Sequence, residues 1–244
     1  MSVAPTRTPE TSALPDDYPC RFHWNREQYY RLGALGFFND HRVELIDGVI
    51  YDKYPNDPDH PDPRPFRFTQ EQYRRLGELG FFDGRRVELI HGEIVEMSPQ
   101  GWPHVLAKSK VADALRTLFA GIGWVSEQSP FPTAGSDPEP DVSVVPGRRE
   151  DYMDHPTASL LLVEVADTTL DRDTTVKAEM YATAGITDYW VLDVVGRELI
   201  VFRNPAPIPG GGAAYRDKQT FGPNETVSPL AVPGAVVKVA DLLP

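Results

Sequence analysis

Asp141 in EPDVSVV, Glu164 in LLLVEVAD and Lys177 in DTTVKAEMYATAG are the residues whose types and spacing could do chemistry. Both carboxylates sit at or within short Val/Leu runs that read as buried strands, and the lysine falls on the amphipathic helix that follows. A charge in such a strand is costly unless a partner or a metal compensates it. Hard cations such as Mg²⁺ or Mn²⁺ take oxygen ligands from one or two carboxylates, with water and phosphate completing the shell. A cation so held polarises a phosphoryl oxygen and activates water, which is the chemistry of phosphodiester hydrolysis.

Strand alternation puts Leu162, Glu164 and Ala166 on one face, and Asp141, Ser143 and Val145 on one face of their own strand. If the two strands are neighbours, both carboxylates reach one metal, and the main-chain carbonyl of Val165 is an additional hard donor. Lys177 and Tyr181 share a helix face at i, i+4, in a helix expected to start at an Asp173 N-cap and end at Gly185. A fixed lysine there can orient the attacking water or offset negative charge on phosphorus.

Each candidate also has an ordinary reading. Lys177 can be a solvated helix charge, and Asp141 a turn residue after Pro140. Glu164, flanked by apolar residues on both sides, is the hardest to read as a surface glutamate. Glu88 in RVELIHGEI either joins the metal site or forms a salt bridge with Arg85 or Arg86. His104, at the start of a helix after Gly101-Trp102-Pro103, either reaches a substrate phosphate or is a cap or surface group. Tyr181 is a second candidate for substrate contact. Tyr189 and Trp190 read as core packing.

The elements that must position these residues begin with a duplication. FHWNREQYYRLGALGFFNDHRVELIDGVI from Phe22 recurs as FRFTQEQYRRLGELGFFDGRRVELIHGEI from Phe66, with about 18 of 29 positions identical. Each copy reads as a short helix, a Gly turn, a VELI strand, a tight turn (His91-Gly92 in the second copy) and a second strand. Glu44 is the duplicate of Glu88 without its downstream context, which favours a structural role. Between the copies, YDKYPNDPDHPDPRP reads as a linker. After Met97, apolar positions from Val105 to Leu118 predict a helix of about four turns. Four strand candidates follow, GWVSEQ, DVSVVP, SLLLVEVAD and DYWVLDVV, with the Lys177 helix between the last two. ELIVFRN is expected to pair with DYWVLDV across Gly196, and GGGAAYRDKQTFGPNETVSP to form a Gly-rich excursion before a short final strand near Val236–Val239. The order α-β-β-α-β-β-β-α-β-β is mixed α/β.

Composition narrows the function classes. The chain has 244 residues and is 41% hydrophobic, enough for a sizeable core. Its formal net charge of −12 argues against indiscriminate nucleic-acid binding, although a metal can neutralise phosphate locally. One cysteine, Cys20, rules out an internal disulfide and fits a reducing, cytoplasmic setting. The N-terminal stretch has no apolar run and reads as a flexible tail, and no segment approaches a membrane span. Zinc spacings, a P-loop and a nucleophile elbow are lacking.

Together RVELIHGEIVEMSPQGWPH, EPDVSVV, LLLVEVAD and TTVKAEMYATAGITDYWVLD resemble the Uma-two family of bacterial restriction endonucleases, within the restriction-endonuclease-like superfamily with its PD and (D/E)xK motifs. The resemblance covers roughly residues 66–204. It implies an αβββαβ core, a divalent-metal site and metal-dependent cleavage of nucleic acid. By that resemblance Glu88 matches the acidic residue of the first hairpin, Asp141 the PD aspartate and Glu164 the first acid of the second motif. The superfamily lysine two residues on is Ala166 here, and its counterpart in the family is Lys177. The copy from Phe22 to Ile50 departs from the family pattern.

The expected organisation is a tail (1–20), an extra helix–hairpin (21–51), a linker (52–65) and a restriction-endonuclease-like domain (66–244). The expected activity is Mg²⁺- or Mn²⁺-dependent endonuclease, with DNA the leading substrate and a homodimer as a candidate assembly. Its rivals are an inactive nucleic-acid or protein interaction module on the same fold, and a hydrolase of another phosphoester.

Overall fold

A computed structural model describes residues 21–53 and 63–244; the tail with Cys20 and most of the linker lie outside them. The chain divides into two compact units. One comprises residues 21–53 and 63–99 with Gly135–Pro138, the other Gln100–Ala134 with Glu139–Pro244. The sequence boundary at residue 66 marks where the second copy of the repeat begins. Packing draws its line at Pro99–Gln100, placing both copies in one unit.

In that unit, helices α1 (Arg26–Ala34) and α2 (Gln70–Glu78) start at matching capping boxes. The Asn25 side chain accepts from Gln28 N–H at 2.9 Å and Thr69 Oγ1 from Gln72 N–H at 3.1 Å, while each glutamine bonds back to its cap. Gly36 and Gly80, at φ 82° and 76°, turn the chain after each helix. The hairpins β1 (Val43–Ile46) with β2 (Val49–Asp52), and β4 (Val87–Ile90) with β5 (Glu93–Glu96), flank β3 (Arg64–Pro65) in sequence. Each closes on a two-residue turn with both residues at positive φ, Asp47-Gly48 and His91-Gly92. Phe22, Trp24, Leu32, Phe37 and Ile50 pack with their repeats Phe66, Phe68, Leu76, Phe81 and Ile94 in one core.

The second unit is a six-stranded mixed sheet. Helix α3 (Trp102–Leu118) leads to β6 (Gly123–Glu127), β7 (Val142–Pro146) and β8 (Leu161–Ala166), an antiparallel run. Helices α4 (Leu170–Thr174) and α5 (Val176–Thr183) then cross over to β9 (Asp188–Asp193), parallel to β8. Strands β10 (Glu198–Pro207) and β11 (Ala213–Phe221) complete the order β11-β10-β9-β8-β7-β6. Short strands β12 (Thr226–Val227) and β13 (Val237–Lys238) pair ahead of α6 (Val239–Leu242). Ala107, Val111 and Leu115 of α3 pack with Val142, Val144, Leu161, Val163 and Val165, which fills one sheet face and leaves the alternate residues to the other. β10 pairs with β9 as expected across Gly196.

Two sequence expectations are corrected. The Gly-rich excursion contains a nine-residue edge strand, β11, all of whose residues are exposed or half-buried, so it carries no apolar alternation to announce it. The Lys177 helix does not begin at an Asp173 cap. Asp173 lies within α4, and the helix breaks at Thr175, where Thr174 and Thr175 hydroxyls donate back to the carbonyls of Leu170 and Asp171.

A buried carboxylate–lysine centre in the mixed sheet

Adjacent strands place the two acids together. In the antiparallel β7–β8 register Val142 faces Val163 and Ser143 faces Leu162. One further step sets Asp141 opposite Glu164, on the sheet face away from α3. Both residues are buried, at 5% and 3% exposure.

Asp141 is held from three sides. Its Oδ2 accepts the Val165 N–H at 2.9 Å, and its Oδ1 lies 3.0 Å from His104 Nε2 and accepts from Gln100 Nε2 at 3.3 Å. Burial alone pushes the Asp141 carboxyl up. The His104 hydrogen bond and charge, the Val165 amide and the Lys177 charge outweigh it and hold the group below its ordinary range. Asp141 is therefore an anion, oriented before any ligand arrives.

Glu164 is held from the helix side. Lys177 Nζ and Tyr181 Oη both donate to its Oε1 at 2.9 Å, so the i, i+4 pair converges on one oxygen. Lys177 is 1% exposed and Tyr181 fully buried. The reading of Lys177 as a solvated helix charge is thereby set aside. Tyr181 and His104 bond the two carboxylates, so in this structure each orients an acid.

In an extended strand the N–H and C=O of one residue point to the same side. The Val165 carbonyl is accordingly turned toward the side where Asp141 takes its amide. Two carboxylates and a carbonyl are hard oxygen donors of the kind Mg²⁺ accepts. No group of three or more His, Cys, Asp or Glu side chains suited to a metal occurs among the described residues. The donor set fits a cation that keeps several waters, and it does not fit a cage built wholly of side chains.

Two residues join the centre beyond those the sequence singles out for chemistry: Gln100, and Asp173, which reads along the chain only as a helix cap. Gln100 bonds Asp141 from just ahead of α3, within the SPQGWPH stretch that drew notice only for His104. Asp173, one turn before Lys177, is 2% exposed, and Thr169 Oγ1 donates to its Oδ2 at 2.5 Å. Burial raises its carboxyl, the Lys177 and Arg172 charges oppose that, and the Asp141 charge adds to it. Its i−4 spacing from Lys177 was the available signal.

Glu88 belongs to the other compact unit, where it is fully buried on β4. Arg85, one of its expected partners, pairs with Glu96. Tyr189 and Trp190 are wholly buried, as core residues should be.

The solved structure of "a putative nuclease belonging to DUF820" from Anabaena variabilis shares this fold, with a TM-score of 0.53 and 16% identity over 72% of this chain and 97% of that one. None of the curated proteins matches. No helix among the described residues is long and apolar enough to cross a membrane. The family model described as "Uma2: Putative restriction endonuclease" matches residues 70–240, which take in the second helix–hairpin copy and nearly all of the sheet unit, and the chain belongs to that family.

Proposed function

We propose that the protein is a Mg²⁺- or Mn²⁺-dependent endonuclease acting on nucleic acid, with DNA as the leading substrate. The observation that carries this reading is the opposition of Asp141 and Glu164 on adjacent strands, with Lys177 seated on Glu164. Asp141, Glu164 and the Val165 carbonyl would hold the cation. Bound there, it would polarise a phosphate oxygen and lower the pKa of a water. His104 and Gln100 keep the Asp141 carboxylate aimed. Lys177 supplies a fixed positive charge beside Glu164, where the attacking water and the charge developing on phosphorus need one. Glu88 assists in this proposal as the acid of the first hairpin, by its match to the family pattern. His104 and Tyr181 stay in this reading as candidate substrate contacts, which each would make only by leaving the carboxylate that it bonds here.

The first test is calorimetric titration of Mg²⁺ and Mn²⁺ with a plasmid-nicking assay on the same samples, comparing wild type with Asp141→Ala/Glu164→Ala. Metal binding and nicking should both vanish in the folded double mutant. A folded wild type that neither binds metal nor nicks would favour the interaction module, a reading that the net charge of −12 also supports. Metal binding with turnover of a small phosphoester and no nicking would favour the other hydrolase.

A further inference from the structure

Several contacts between the two copies come in reciprocal pairs. Phe22 N–H donates to the Ile94 carbonyl at 2.9 Å, and its repeat Phe66 N–H donates to the Ile50 carbonyl at 2.8 Å. The Arg31 guanidinium lies over the Phe81 ring at 4.4 Å, and that of its repeat Arg75 over the Phe37 ring at 5.4 Å. Phe22 meets Phe82 edge-on at 5.5 Å, and Phe66 meets Phe38 edge-on at 5.3 Å. Arg21 bridges Val95 of β5 just as Pro65 pairs with Tyr51 of β2. Where the sequences differ the geometry persists. Arg85 sits over Phe22 at 3.7 Å, and His41, at the equivalent position, meets Phe66 at 5.0 Å.

Each contact joins one residue of a copy to a different residue of the other, and the reverse contact is present too. That is the signature of a two-fold, isologous interface, in which one surface patch meets itself. The aromatic residues and arginines that make the contacts are the types that dominate protein–protein interfaces. The family match holds one helix–hairpin only, so this face has no partner within the matched region itself.

We propose that the helix–hairpin carries a self-complementary docking face whose partner is a second copy of the same unit. The duplication supplies that copy in cis, and a chain with a single copy takes it from a second chain. The full chain therefore fills this face by itself and does not dimerise through it. The proposal is independent of the endonuclease reading.

The test in the full chain replaces residues 22–50 with residues 66–94, making the two copies identical. A self-complementary face tolerates this. The variant should unfold cooperatively with Tm within about 5 °C of wild type, and sediment as wild type does. Loss of cooperative unfolding, or a Tm lower by more than about 10 °C, would overturn the proposal. A second variant beginning at residue 63 should sediment at twice its chain mass, with a Tm that rises with protein concentration. A peptide of residues 21–53 should convert that dimer to a 1:1 complex. A folded shorter chain that stays monomeric when concentrated would also overturn it. If the shorter chain does not fold, the exchange variant decides.

Discussion

Glu44 and Glu164 pose the same problem, a glutamate between valine and leucine or valine in a short strand, and the two compact units answer it differently. In the first helix–hairpin copy, VELI is half-buried to exposed, and Glu44 pairs with Lys53 across a wet surface, with side chains 36% and 41% exposed. In the sheet unit, strands lie on both sides of β8 and helices cover it. The Glu164 and Lys177 side chains are 4% and 2% exposed there. A surface pair costs little to make and little to lose. A buried pair must be complete, because either partner alone is a charge without water. The second copy stands between these extremes. Its VELI is identical to the first, yet all four residues are buried. The reason is the segment Gly135–Pro138. Asp137 N–H donates to the Leu89 carbonyl at 2.7 Å, Gly92 N–H to the Gly135 carbonyl at 2.9 Å, and His91 N–H to Ser136 Oγ at 2.8 Å.

The contrast can be broken most severely at the acids themselves. Asp141→Asn and Glu164→Gln keep shape and remove charge. If these groups hold a catalytic cation, several kcal/mol of transition-state stabilisation is lost, a drop of about 10³-fold in nicking rate. Glu44→Gln should leave the rate unchanged, and equal loss in that control would remove the distinction.

Next come the lysines. Lys177→Met strands Glu164 and should cost about 3–5 kcal/mol in urea-denaturation free energy. Lys53→Met should cost about 1 kcal/mol or less. Similar values for the two would mean that Lys177 is solvated in solution.

The turns of the two copies give a pH test. Burial, with the Arg67 charge, pushes the His91 imidazole down to about 4 from 6.5, whereas Asp47 at the equivalent position is exposed. Between those values the unfolded chain binds a proton that the folded one refuses, so stability rises with pH. It is lost as pH falls from 6.5 toward about 4, by on the order of 3 kcal/mol. His91→Asn suits the positive φ of 50° and should flatten that slope. A slope unchanged in the variant would place the titration elsewhere.

The finest contrast is Tyr181→Phe, which deletes one of the two donors to Glu164 Oε1. It should destabilise by about 1–2 kcal/mol, with folding and helix content retained. No measurable change in the denaturation midpoint would show that Lys177 alone satisfies that oxygen.

Much of this molecule could be read along the chain. Apolar runs marked β6 to β10, and the repeat marked the two helix–hairpin copies. β11 was hidden because an exposed edge strand needs no hydrophobic alternation. Asp173 was misread because a carboxylate ahead of a helix looks like a cap, and only the back-bonding threonines reveal the break. Gln100 was silent because a glutamine acquires meaning only from what it touches.

The sequence by itself determined the order of strands from β4 to β10, the duplication, the family and the residue types of the centre, since periodicity, identity and chemistry are local properties. Only the tertiary structure decided that Asp141 faces Glu164, that Lys177 and Tyr181 share one carboxylate oxygen, and that two identical VELI strands differ in burial. Those facts depend on strand register and on segments distant in the chain, and neither is encoded in any short window of residues.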